Sequence, residues 1–579
     1  MGATPQSLLE ARVRAAVEAI APDAIVNGAL VTTARDPQHG DFSSPVAMQL
    51  AKQLKQAPLA IAEQLAAAVD VAGIAEPPTT AAPGFVNFRV DGSWLAGRIG
   101  ELVGDDRAGI DQAETKELVV VDYSAPNMAK RMHVGHLRST IIGDAIAHAY
   151  EALGNTLDRV NHIGDYGAQF GMLLVHVEDQ RSTDADLRLA DVEDHYRDAN
   201  QRVKDDPDFY ERSRQRVVDL QSGEPSARAT WREYLDMTRR ANQPVYDLLG
   251  IHDLEERGES FYEPMLADVV RELEDKGLLV EDQGARVVFV PGFTNREGDP
   301  LPLIVVNQHG GYGYGTTDLA AIRHRTQDLG ADRVIYVVAA DQGQHLQMVF
   351  EVARMAGWVT TQLVEHVGFG LVLGEDNKKL STRKGDNPTL EGLLREAIDR
   401  ARAFVVARAE ERGQAVPDDL DHVAHVIGIG AVKYADLSQN RQSNYVFSYE
   451  KMLSLRGNTA PYLQYAYARM RSILREAGWV DSVPANPAVE LDAPEELELA
   501  KRLTSLPDAV GRVTEDHEPN HLCLHLFEVA QSFSRFYESC PVLKADEPAR
   551  TSRLALCDTS ARQLRSGLEL LGIDVLERI

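Results

Sequence analysis

The sequence predicts an α/β protein built around a parallel β-sheet, with a mixed domain before the sheet and a helical domain after it. The run ELVVVDY at 117–123 lacks polar alternation, which indicates a strand buried on both faces. A loop, a helix and a second strand follow in order, as in a βαβ unit with a right-handed crossover. From Val423 onward the pattern is almost wholly helical. We therefore expect a Rossmann-like parallel-sheet domain flanked by an α+β domain and an all-α domain.

Residues 1–112 are expected to form the α+β domain. Helical periodicity runs through SLLEARVRAAVEAIA and again through SPVAMQLAKQLKQAPLAIAEQLAAAV, where a break near Pro58 divides the pattern into two helices. The stretch GFVNFRV at 84–90 alternates as a strand does.

The parallel sheet is expected within residues 113–422. The first helix of the βαβ unit, LRSTIIGDAIAHAYEAL, ends at Gly154-Asn155, and the next strand is TLDRVNHIGD. Further strands are predicted at 301–306, 333–340 and 366–373. A charged segment with few strand signals, around 178–260, indicates a helical insertion into this domain.

Residues 423–579 are predicted to form the helical domain. The segments NTAPYLQYAYARMRSILREAG and HLFEVAQSFSRFYESC have helical spacing, and a loop, SVPANPAVELDAPEE, lies between them. Cys523, Cys540 and Cys557 are spaced by seventeen residues, which fits no CxxC metal pattern. We expect isolated thiols on a helical core in a reducing compartment.

The composition restricts the class of partner. The 579 residues carry 88 acidic and 60 basic side chains, a net charge of −28. This charge disfavours uniform coating of nucleic acid or an anionic membrane, but it is compatible with a local basic patch. No apolar run approaches the roughly 18 residues that span a bilayer. The amphipathic N-terminus carries Glu10 and Glu18, unlike a signal peptide, so a cytoplasmic protein is expected.

The clearest functional candidate lies between the first strand and the first helix of the sheet. Its basic side chains, gathered without an acid, are Lys130, Arg131, His133, His136 and Arg138. A helix start offers free N–H groups to a phosphate, and Gly135 permits close approach of a nucleotide. The two imidazoles at i and i+3 share one helical face. The alternatives are histidines satisfied by local hydrogen bonds or a zinc pair, for which no third ligand is evident.

A second basic cluster, KKLSTRKG at 378–385, follows the last predicted strand. Such a loop could move over a polyphosphate and neutralise the charge that develops during phosphate transfer. Taken alone, a lysine-rich run is usually a solvated surface. Two separate basic elements beside one sheet favour a phosphate site.

Polar side chains are also predicted to meet at the carboxyl edge of the sheet. Asp122 ends the first strand, Asn127 lies in the loop after it, and Gln342 follows the strand at 333–340. Tyr314 and Asp318 are four residues apart at a helix start, where an acid is also favourable for purely structural reasons. Two carboxylates, an amide pair and a phenol would form a pocket suited to a cation, and to a guanidinium in particular.

The helix at 458–478 interleaves aromatic and basic residues, which are Tyr462, Tyr465, Tyr467, Arg469, Arg471 and Arg475. Aromatic rings combined with arginines suit the bases and phosphates of single-stranded RNA loops. Tyrosines on a helix are more often part of a core. The net positive charge of this segment within an acidic protein favours the RNA-binding interpretation.

These motifs resemble the arginyl-tRNA synthetases, a family of class I aminoacyl-tRNA synthetases. That family's HIGH signature is similar to PNMAKRMHVGH, and its KMSKS loop to KKLSTRKG. Its recurrent stretches resemble, in order, NHIGDYGAQFG, YGTTDLA, DQGQHLQ and VGIGAVKYADLS. The start of its helical anticodon-binding domain resembles GNTAPYLQYAYAR, and its N-terminal domain resembles HGDFSSPVAMQLAK and PGFVNFRV. The likeness extends from about residue 20 to Ile579.

The resemblance implies an arginine–tRNA ligase that acts in translation. Such an enzyme forms arginyl-adenylate from L-arginine and ATP, and then passes arginine to the terminal ribose hydroxyl of tRNA(Arg). Arginine activation in this family usually needs bound tRNA. Magnesium would accompany ATP, no zinc is expected, and a cytoplasmic monomer without membrane contact is implied. Residues 1–112 would add tRNA contacts.

The resemblance also implies site residues. The catalytic residues would be His133, His136, Lys130, Lys379 and Lys384. ATP would bind at His133, Gly135, His136, Lys379, Ser381 and Arg383. Arginine would bind at Asp122, Ala125, Pro126, Asn127, His136, Tyr314, Asp318 and Gln342. The tRNA would contact Tyr462, Gln464, Tyr465, Arg469 and Arg471.

The chain departs from the family pattern in three ways. Thr382 stands where the KMSKS-like loop usually has its second lysine, and Lys130 is a candidate to supply that charge. The segment NQHGG has His309 where an acid is common. Gly313 and Gly315 are smaller than the usual residues, which puts the rigidity of the arginine pocket in question.

Two other functions stay open. A stand-alone nucleotidyl transferase can share the HxGH site, but the helical C-terminal domain disfavours it. A weakly catalytic paralogue could serve as an RNA-binding module or a resistance copy, although the presence of His133, His136 and Asp318 disfavours it.

Overall fold

The computed structural model describes residues 4–183, 192–295, 297–308, 310–378, 380, 389–480 and 482–579. Its strands, in chain order, are β1 (Thr32–Thr33), β2 (Phe42–Ser44), β3 (Thr79–Ala81), β4 (Phe85–Phe88), β5 (Leu118–Asp122), β6 (Thr156–Asn161), β7 (Glu255–Glu256), β8 (Val280–Asp282), β9 (Ala285–Thr294), β10 (Pro300–Val306), β11 (Arg333–Tyr336), β12 (Leu363–His366), β13 (Val372–Leu373) and β14 (Tyr445–Val446).

The helices of the first two thirds of the chain are α1 (Pro5–Ile20), α2 (Val46–Leu54), α3 (Pro58–Ala68), α4 (Gly92–Leu102), α5 (Val134–Ala152), α6 (Ala168–Thr183), α7 (Val192–Asp205), α8 (Pro207–Gln221), α9 (Pro225–Leu249), α10 (Leu266–Asp275), α11 (Tyr314–Arg323) and α12 (Gly343–Met355). Those of the last third are α13 (Leu390–Arg412), α14 (Leu420–Leu437), α15 (Tyr449–Met452), α16 (Ala460–Glu476), α17 (Pro494–Leu503), α18 (Leu506–Glu515), α19 (Asn520–Ser539) and α20 (Ala549–Leu570). Short 3-10 helices lie at Pro37–His39, Glu259–Met265 and Ala340–Gln342, and a π-helical turn continues α11 at His324–Asp328.

In the N-terminal domain, α2 and α3 pack against an antiparallel sheet of order β1-β2-β4-β3 and α1 packs on α3, which confirms the α+β prediction. Helix α4 follows this sheet and packs against α17 and α20. Pro58 is the first residue of α3. Proline is tolerated there because the first N–H of a helix has no partner within the helix. The predicted break therefore falls between α2 and α3.

A five-stranded parallel sheet of order β12-β11-β5-β6-β7 lies at the centre of the protein, as predicted. The central strand β5 is buried on both faces, since Val119, Val120 and Val121 are each 0% exposed. Helices α6 to α9 enter the chain between β6 and β7, which confirms the helical insertion. The carboxyl ends of β5, β6 and β11 are adjacent, so the segments after them share one edge.

Two strand predictions need correction. Residues 301–306 do form β10, but this strand belongs to a separate antiparallel sheet of order β10-β9-β8. Its burial alternates, with Ile304 53% exposed between buried Leu303 and Val305, as in an antiparallel sheet with one solvated face. Residues 366–373 are not one strand: His366 ends β12, and Val372–Leu373 pairs with β14. The interruption includes Gly370, where a Cβ would meet the backbone of Ser443 at 2.7 Å.

The last third of the chain is helical, as predicted, and the loop expected at 482–496 ends where α17 begins at Pro494. The three cysteines are buried free thiols, which confirms that part of the prediction. None of the helices within the described ranges is long and apolar enough to cross a membrane.

Helix α5 is one of the contacts between the parallel-sheet domain and the helical region. The Arg138 guanidinium on α5 forms an ion pair with Asp436 on α14, with side chains 1% and 0% exposed. Arg138 Nη1 also donates to the Ser443 carbonyl at 3.0 Å. The same two helices carry Asp144 on α5 and buried Lys433 on α14. Burial lowers the pKa of Lys433, and the negative charge of Asp144 opposes this effect. Lys433 also donates to the Gly572 carbonyl. The helix that starts at the histidine motif is therefore held by the helical region.

Candidate active site at the carboxyl edge of the sheet

The loop after β5 begins with two strained residues. Ser124 and Ala125 have φ values of 71° and 45°, a region that residues with a Cβ rarely adopt. The Ser124 N–H donates to Ser139 Oγ at 2.9 Å, and the Ala125 N–H donates to Asn161 Oδ1 at 3.0 Å. These bonds hold a conformation of the kind that concentrates at functional sites.

The loops after β5 and β6 run side by side. Asn127 and Gly164 form a parallel bridge, and the Met128 N–H donates to the Gly164 carbonyl at 3.0 Å. The segments that follow these two strands are thereby joined into one rim, as expected from the parallel sheet. Ala125, Pro126 and Asn127 all lie on this rim.

The histidine motif caps the start of α5. Gly135 N–H donates to His133 Nδ1 at 3.0 Å, and the His133 N–H donates to His136 Nδ1 at 3.1 Å. The two rings are 4.2 Å apart. A neutral imidazole that accepts a hydrogen bond at Nδ1 carries its proton at Nε2. Both side chains are thus set as Nε2–H donors at a helix N-terminus, an arrangement suited to phosphate oxygens.

Burial lowers the pKa of His136 to about 3, and the positive charge of Lys130 and the neighbouring His133 imidazole act in the same direction. His136 is therefore neutral near pH 7 and serves as a hydrogen-bond donor rather than as a cation. The alternative of histidines satisfied by local hydrogen bonds holds for the two Nδ1 atoms, and the binding of a phosphate chain by these residues stays a prediction.

Asp318 lies between two histidines that the sequence did not single out. Its Oδ2 atom is 2.6 Å from His345 Nε2, and its Oδ1 atom is 3.9 Å from His162 Nε2. The Tyr314 ring packs edge-on against His345, with centroids 4.9 Å apart, and Tyr314 itself is 68% exposed. His162 directly follows β6, so Asp318 is located at the carboxyl edge of the parallel sheet. Tyr314 and Asp318 are brought together as expected.

A second carboxyl group, that of Glu259, feels the negative charge of Asp318. Burial raises the pKa of Glu259 to about 7, and the negative charges of Asp165 and Asp318 raise it further, while a hydrogen bond from the Tyr166 N–H opposes them. Burial also raises the pKa of Asp165. A cation in this pocket would favour the ionised form of Glu259. Paired carboxylates of this kind suit a guanidinium.

The expectation for Asp122 is corrected by the structure. The Arg325 Nη2 atom lies 2.8 Å from Asp122 Oδ2, and the two side chains are 0% and 4% exposed. The Arg325 guanidinium also packs over the Tyr336 ring at 4.9 Å. Asp122 is therefore neutralised by a buried arginine of its own chain and does not offer an open carboxylate.

Other expected residues surround the same edge. Gln342 ends a short 3-10 helix after β11 and is exposed. The Lys130 ammonium lies 5.8 Å from the Tyr196 ring of the helical insertion. Among the residues singled out in the sequence, those outside the described part of the chain are His309, Lys379, Ser381, Thr382, Arg383 and Lys384. After Lys384, the next described residues lie against the histidine motif. Thr389 forms an isolated β-bridge with His133, and the Leu390 N–H donates to the Met132 carbonyl at 3.0 Å.

Helix α16 exposes a mixed aromatic and basic face. A cavity of about 730 Å³ is lined by Arg412, Tyr462, Tyr465, Ala466, Ala468, Arg469, Ser472, Arg475, Phe533, Ser534, Arg578 and Ile579. The Arg469 guanidinium lies 4.3 Å from the Tyr537 ring, and Arg412 lies 5.8 Å from the Tyr465 ring. This lining contains four arginines and no acidic side chain, which suits an anionic, base-bearing partner.

Gln464, which was predicted to contact the tRNA, is buried in the core instead. It is 0% exposed, and its Nε2 atom donates to the carbonyls of Val426 and Asp574 at 3.2 and 2.9 Å. It therefore joins α16 to α14 inside the core. Tyr467 is also buried, with its hydroxyl donating to Glu577 at 2.6 Å. Arg471 pairs with the same carboxylate at 2.9 Å.

Three family models match successive parts of the chain. The model of the arginyl-tRNA synthetase N-terminal domain matches residues 7–90, that of the catalytic domain of class I (R) tRNA synthetases matches 99–449, and that of the DALR anticodon-binding domain matches 463–579.

Whole-chain comparisons agree with these matches. The chain is 51% identical to the arginine–tRNA ligase of a Synechococcus species and 48% identical to that of Nostoc punctiforme, covering 100% of both chains in each case. Among solved structures it is similar to the arginyl-tRNA synthetase of Plasmodium falciparum, with 28% identity, a TM-score of 0.87 and 100% of both chains covered. The Thermus thermophilus arginyl-tRNA synthetase aligns with a TM-score of 0.82 at 25% identity, covering 99% of this chain and 100% of that one.

Proposed function

This chain belongs to the arginyl-tRNA synthetase family, and from that premise we propose how its residues charge tRNA with arginine. The protein is an arginine–tRNA ligase of class I, acting in translation. It activates L-arginine with ATP to arginyl-adenylate, releasing pyrophosphate. It then transfers arginine from the adenylate to the terminal ribose hydroxyl of tRNA(Arg), releasing AMP. No covalent enzyme intermediate is needed, so positioning and charge stabilisation carry the catalysis.

The Asp318 pocket is the single observation that supports arginine as the amino acid. In our proposal the guanidinium meets Asp318 and Glu259, with Tyr314 as the exposed wall. Two carboxylates in a half-buried pocket favour a forked cation over a neutral side chain. The α-amino and carboxylate groups of the substrate would then meet the rim residues, which are Ala125, Pro126, Asn127, His136 and Gln342.

ATP, accompanied by Mg²⁺ as part of the substrate, is placed at the start of α5. His133 and His136 would donate their Nε2–H groups to the phosphates, and Gly135 would allow the nucleotide to approach the backbone. Lys130 would neutralise charge on the departing pyrophosphate. The same role is proposed for Lys379 and Lys384 of the KMSKS-like loop, whereas Ser381 and Arg383 would help Lys379 to bind ATP.

The tRNA is proposed to contact the arginine-lined cavity on α16. Tyr462 and Tyr465 offer rings for stacking, and Arg469 offers a charge to the phosphates. The buried amide of Gln464 has no place in this contact. We also propose domain boundaries at 112 and 422, with tRNA contacts made by the first 112 residues. The protein is proposed to be a cytoplasmic monomer.

Amino-acid-dependent pyrophosphate exchange tests this function. Exchange would be measured with each of the standard amino acids, with and without tRNA(Arg). The proposal requires exchange with arginine alone among them, and only when tRNA is present. A weakly catalytic RNA-binding paralogue would instead bind tRNA without exchange, and a stand-alone nucleotidyl transferase would show no dependence on tRNA.

A further inference from the structure

His345 contacts two of the three residues that we propose around the guanidinium, Tyr314 and Asp318. It lies in the first turn of α12, while Tyr314 and Asp318 lie on α11. Its Nε2 atom is 2.6 Å from Asp318 Oδ2, and its ring is packed edge-on by the Tyr314 ring at 4.9 Å. The His345 and Asp318 side chains are 20% and 21% exposed, so this contact is largely shielded from water.

The hydrogen bond limits how the carboxylate can be oriented. An ionised carboxylate has two oxygens with about four acceptor positions, and His345 occupies one of those on Oδ2. A guanidinium that binds in a forked manner needs both oxygens held in one plane. Fixing Oδ2 therefore fixes the plane of the group and leaves acceptor positions for the substrate. His162, at 3.9 Å from Oδ1, is too distant for a direct hydrogen bond.

The contact with Tyr314 carries a second constraint. Tyr314 is 68% exposed, and among the described residues His345 is the only one whose ring packs against it. Without that ring, the phenol would sample other rotamers in water. One side chain thus orders the acid and the aromatic wall of the pocket together.

From this geometry we propose that His345 is a positioning residue for arginine recognition, holding the Asp318 carboxylate and the Tyr314 ring in the arrangement that receives the guanidinium. The inference rests on the proposed roles of Asp318 and Tyr314. It assigns His345 no contact with ATP or with the reacting phosphate. Loss of His345 is therefore expected to weaken arginine binding selectively, since ordering of the pocket before binding is what His345 supplies.

Three substitutions at this position separate the two contacts. His345→Ala removes both contacts. His345→Gln keeps an amide donor close to the position of Nε2, and His345→Phe keeps the ring beside Tyr314 but loses the donor. We expect His345→Ala to raise the arginine KM in tRNA-dependent pyrophosphate exchange by about ten-fold or more, equivalent to about 1.4 kcal/mol. The ATP KM is expected to stay within about two-fold of the wild type, because His345 contacts neither His133 nor His136.

The conservative variant supplies the decisive comparison. His345→Gln is expected to recover most of the lost arginine affinity, and His345→Phe less of it. The matched control is His521→Ala, which removes another histidine paired with a carboxylate, Glu518 at 3.4 Å, in the helical region. It is expected to leave the arginine KM unchanged.

Several results would overturn the proposal. An arginine KM within two-fold of the wild type in His345→Ala would do so, and so would equal rises for arginine and ATP. If His345→Ala does not fold, equal arginine KM values for the Gln and Phe variants would have the same consequence. A wild-type protein that shows no exchange with arginine would contradict the proposed function itself, whatever the variants do.

Discussion

Arg138 and Asp436 form a buried ion pair across the junction of α5 and α14, with the Arg138 Nε atom 3.1 Å from the carboxylate. Both side chains are almost completely inaccessible to water. Removing one partner of such a pair leaves an uncompensated buried charge, which costs about 3–5 kcal/mol. Replacing both partners with apolar residues of similar volume is often neutral.

We therefore predict that Arg138→Met lowers the midpoint of urea-induced unfolding, and that Arg138→Met/Asp436→Leu restores much of it. The control is Arg214→Met, which removes an exposed pair with Glu211 whose side chains are 47% and 67% exposed. Exposed pairs contribute little, so this midpoint should not move. A double variant as unstable as the single one would show that the pair itself contributes stability.

Glu259 is predicted to make arginine binding depend on pH. Its pKa is raised to about 7, so the carboxyl is largely protonated at pH 6 and ionised at pH 8. A guanidinium requires the ionised form, and the arginine KM should therefore fall as pH rises from 6 to 8. In Glu259→Gln the KM should be higher and lose this dependence. A pH profile that is unchanged in the variant would remove Glu259 from the binding equilibrium.

The raised pKa of Glu259 also predicts that the arginine-free protein becomes less stable as pH rises, whereas arginine binding becomes tighter. Because the folded pKa is raised above the usual value, ionisation is harder in the folded state than in the unfolded one. The favourable contribution of Glu259 is complete below its unfolded pKa and is lost as pH rises toward about 7. Glu259→Gln should therefore raise the thermal midpoint at pH 8 more than at pH 5, as measured by calorimetry without ligands.

Asp318→Asn is predicted to reduce arginine affinity far more than ATP affinity. The change keeps the shape of the side chain and removes one charge partner of the guanidinium, a loss of roughly 3–5 kcal/mol for a buried pair. Steady-state exchange kinetics give the two KM values. Asp328→Asn, at an exposed position on the turn that continues α11, is the control. Equal losses for both substrates would place the guanidinium elsewhere.

Lys130 is predicted to substitute for the lysine that Thr382 replaces. Lys130→Ala should lower kcat for adenylate formation and leave arginine binding nearly unchanged, because the charge is needed as pyrophosphate leaves. Thr382→Lys in the Lys130→Ala background should restore part of the rate, and a double-mutant cycle measures that coupling. Wild-type exchange in Lys130→Ala would show instead that Lys130 is a surface lysine.

Two neighbours on α16 are predicted to behave differently. Arg469→Ala should raise the KM for tRNA and reduce its dependence on salt by about one unit of the logarithmic slope, since one phosphate contact is lost. Gln464→Ala should instead destabilise the protein, because it leaves the carbonyls of Val426 and Asp574 without their buried donor. Filter binding and thermal unfolding distinguish the two effects.

Local patterns were sufficient for much of this architecture. The unbroken β-branched run predicted β5, and Pro58 predicted the start of α3. Both signals depend only on residues adjacent in the sequence. Strand β10 also had a local signal, the apolar run LPLIVV at 301–306. Its assignment to a separate sheet depended on pairing with β9, which no local pattern specifies.

The site was less predictable because its decisive contacts are long-range. Nothing near Asp122 in the sequence indicates that Arg325 neutralises it, and Glu259 lies in a 3-10 helix without a recognisable motif. His162 had a usable signal, since it directly follows a parallel strand. Gln464 had one as well, because it shares a helical face with buried Ala460 and Tyr467.

The ion pair between α5 and α14 joins residues that are made at very different times during synthesis. Arg138 and Asp436 are 298 residues apart, so the arginine leaves the ribosome long before its counter-ion exists. Until Asp436 is made, α5 carries the Arg138 guanidinium on a face that is buried in the folded protein. Water or a chaperone must cover that face in the nascent chain. Helix α14 spans the division drawn at 422. A fragment ending there would lack Asp436 and would leave the buried Arg138 guanidinium without its counter-ion.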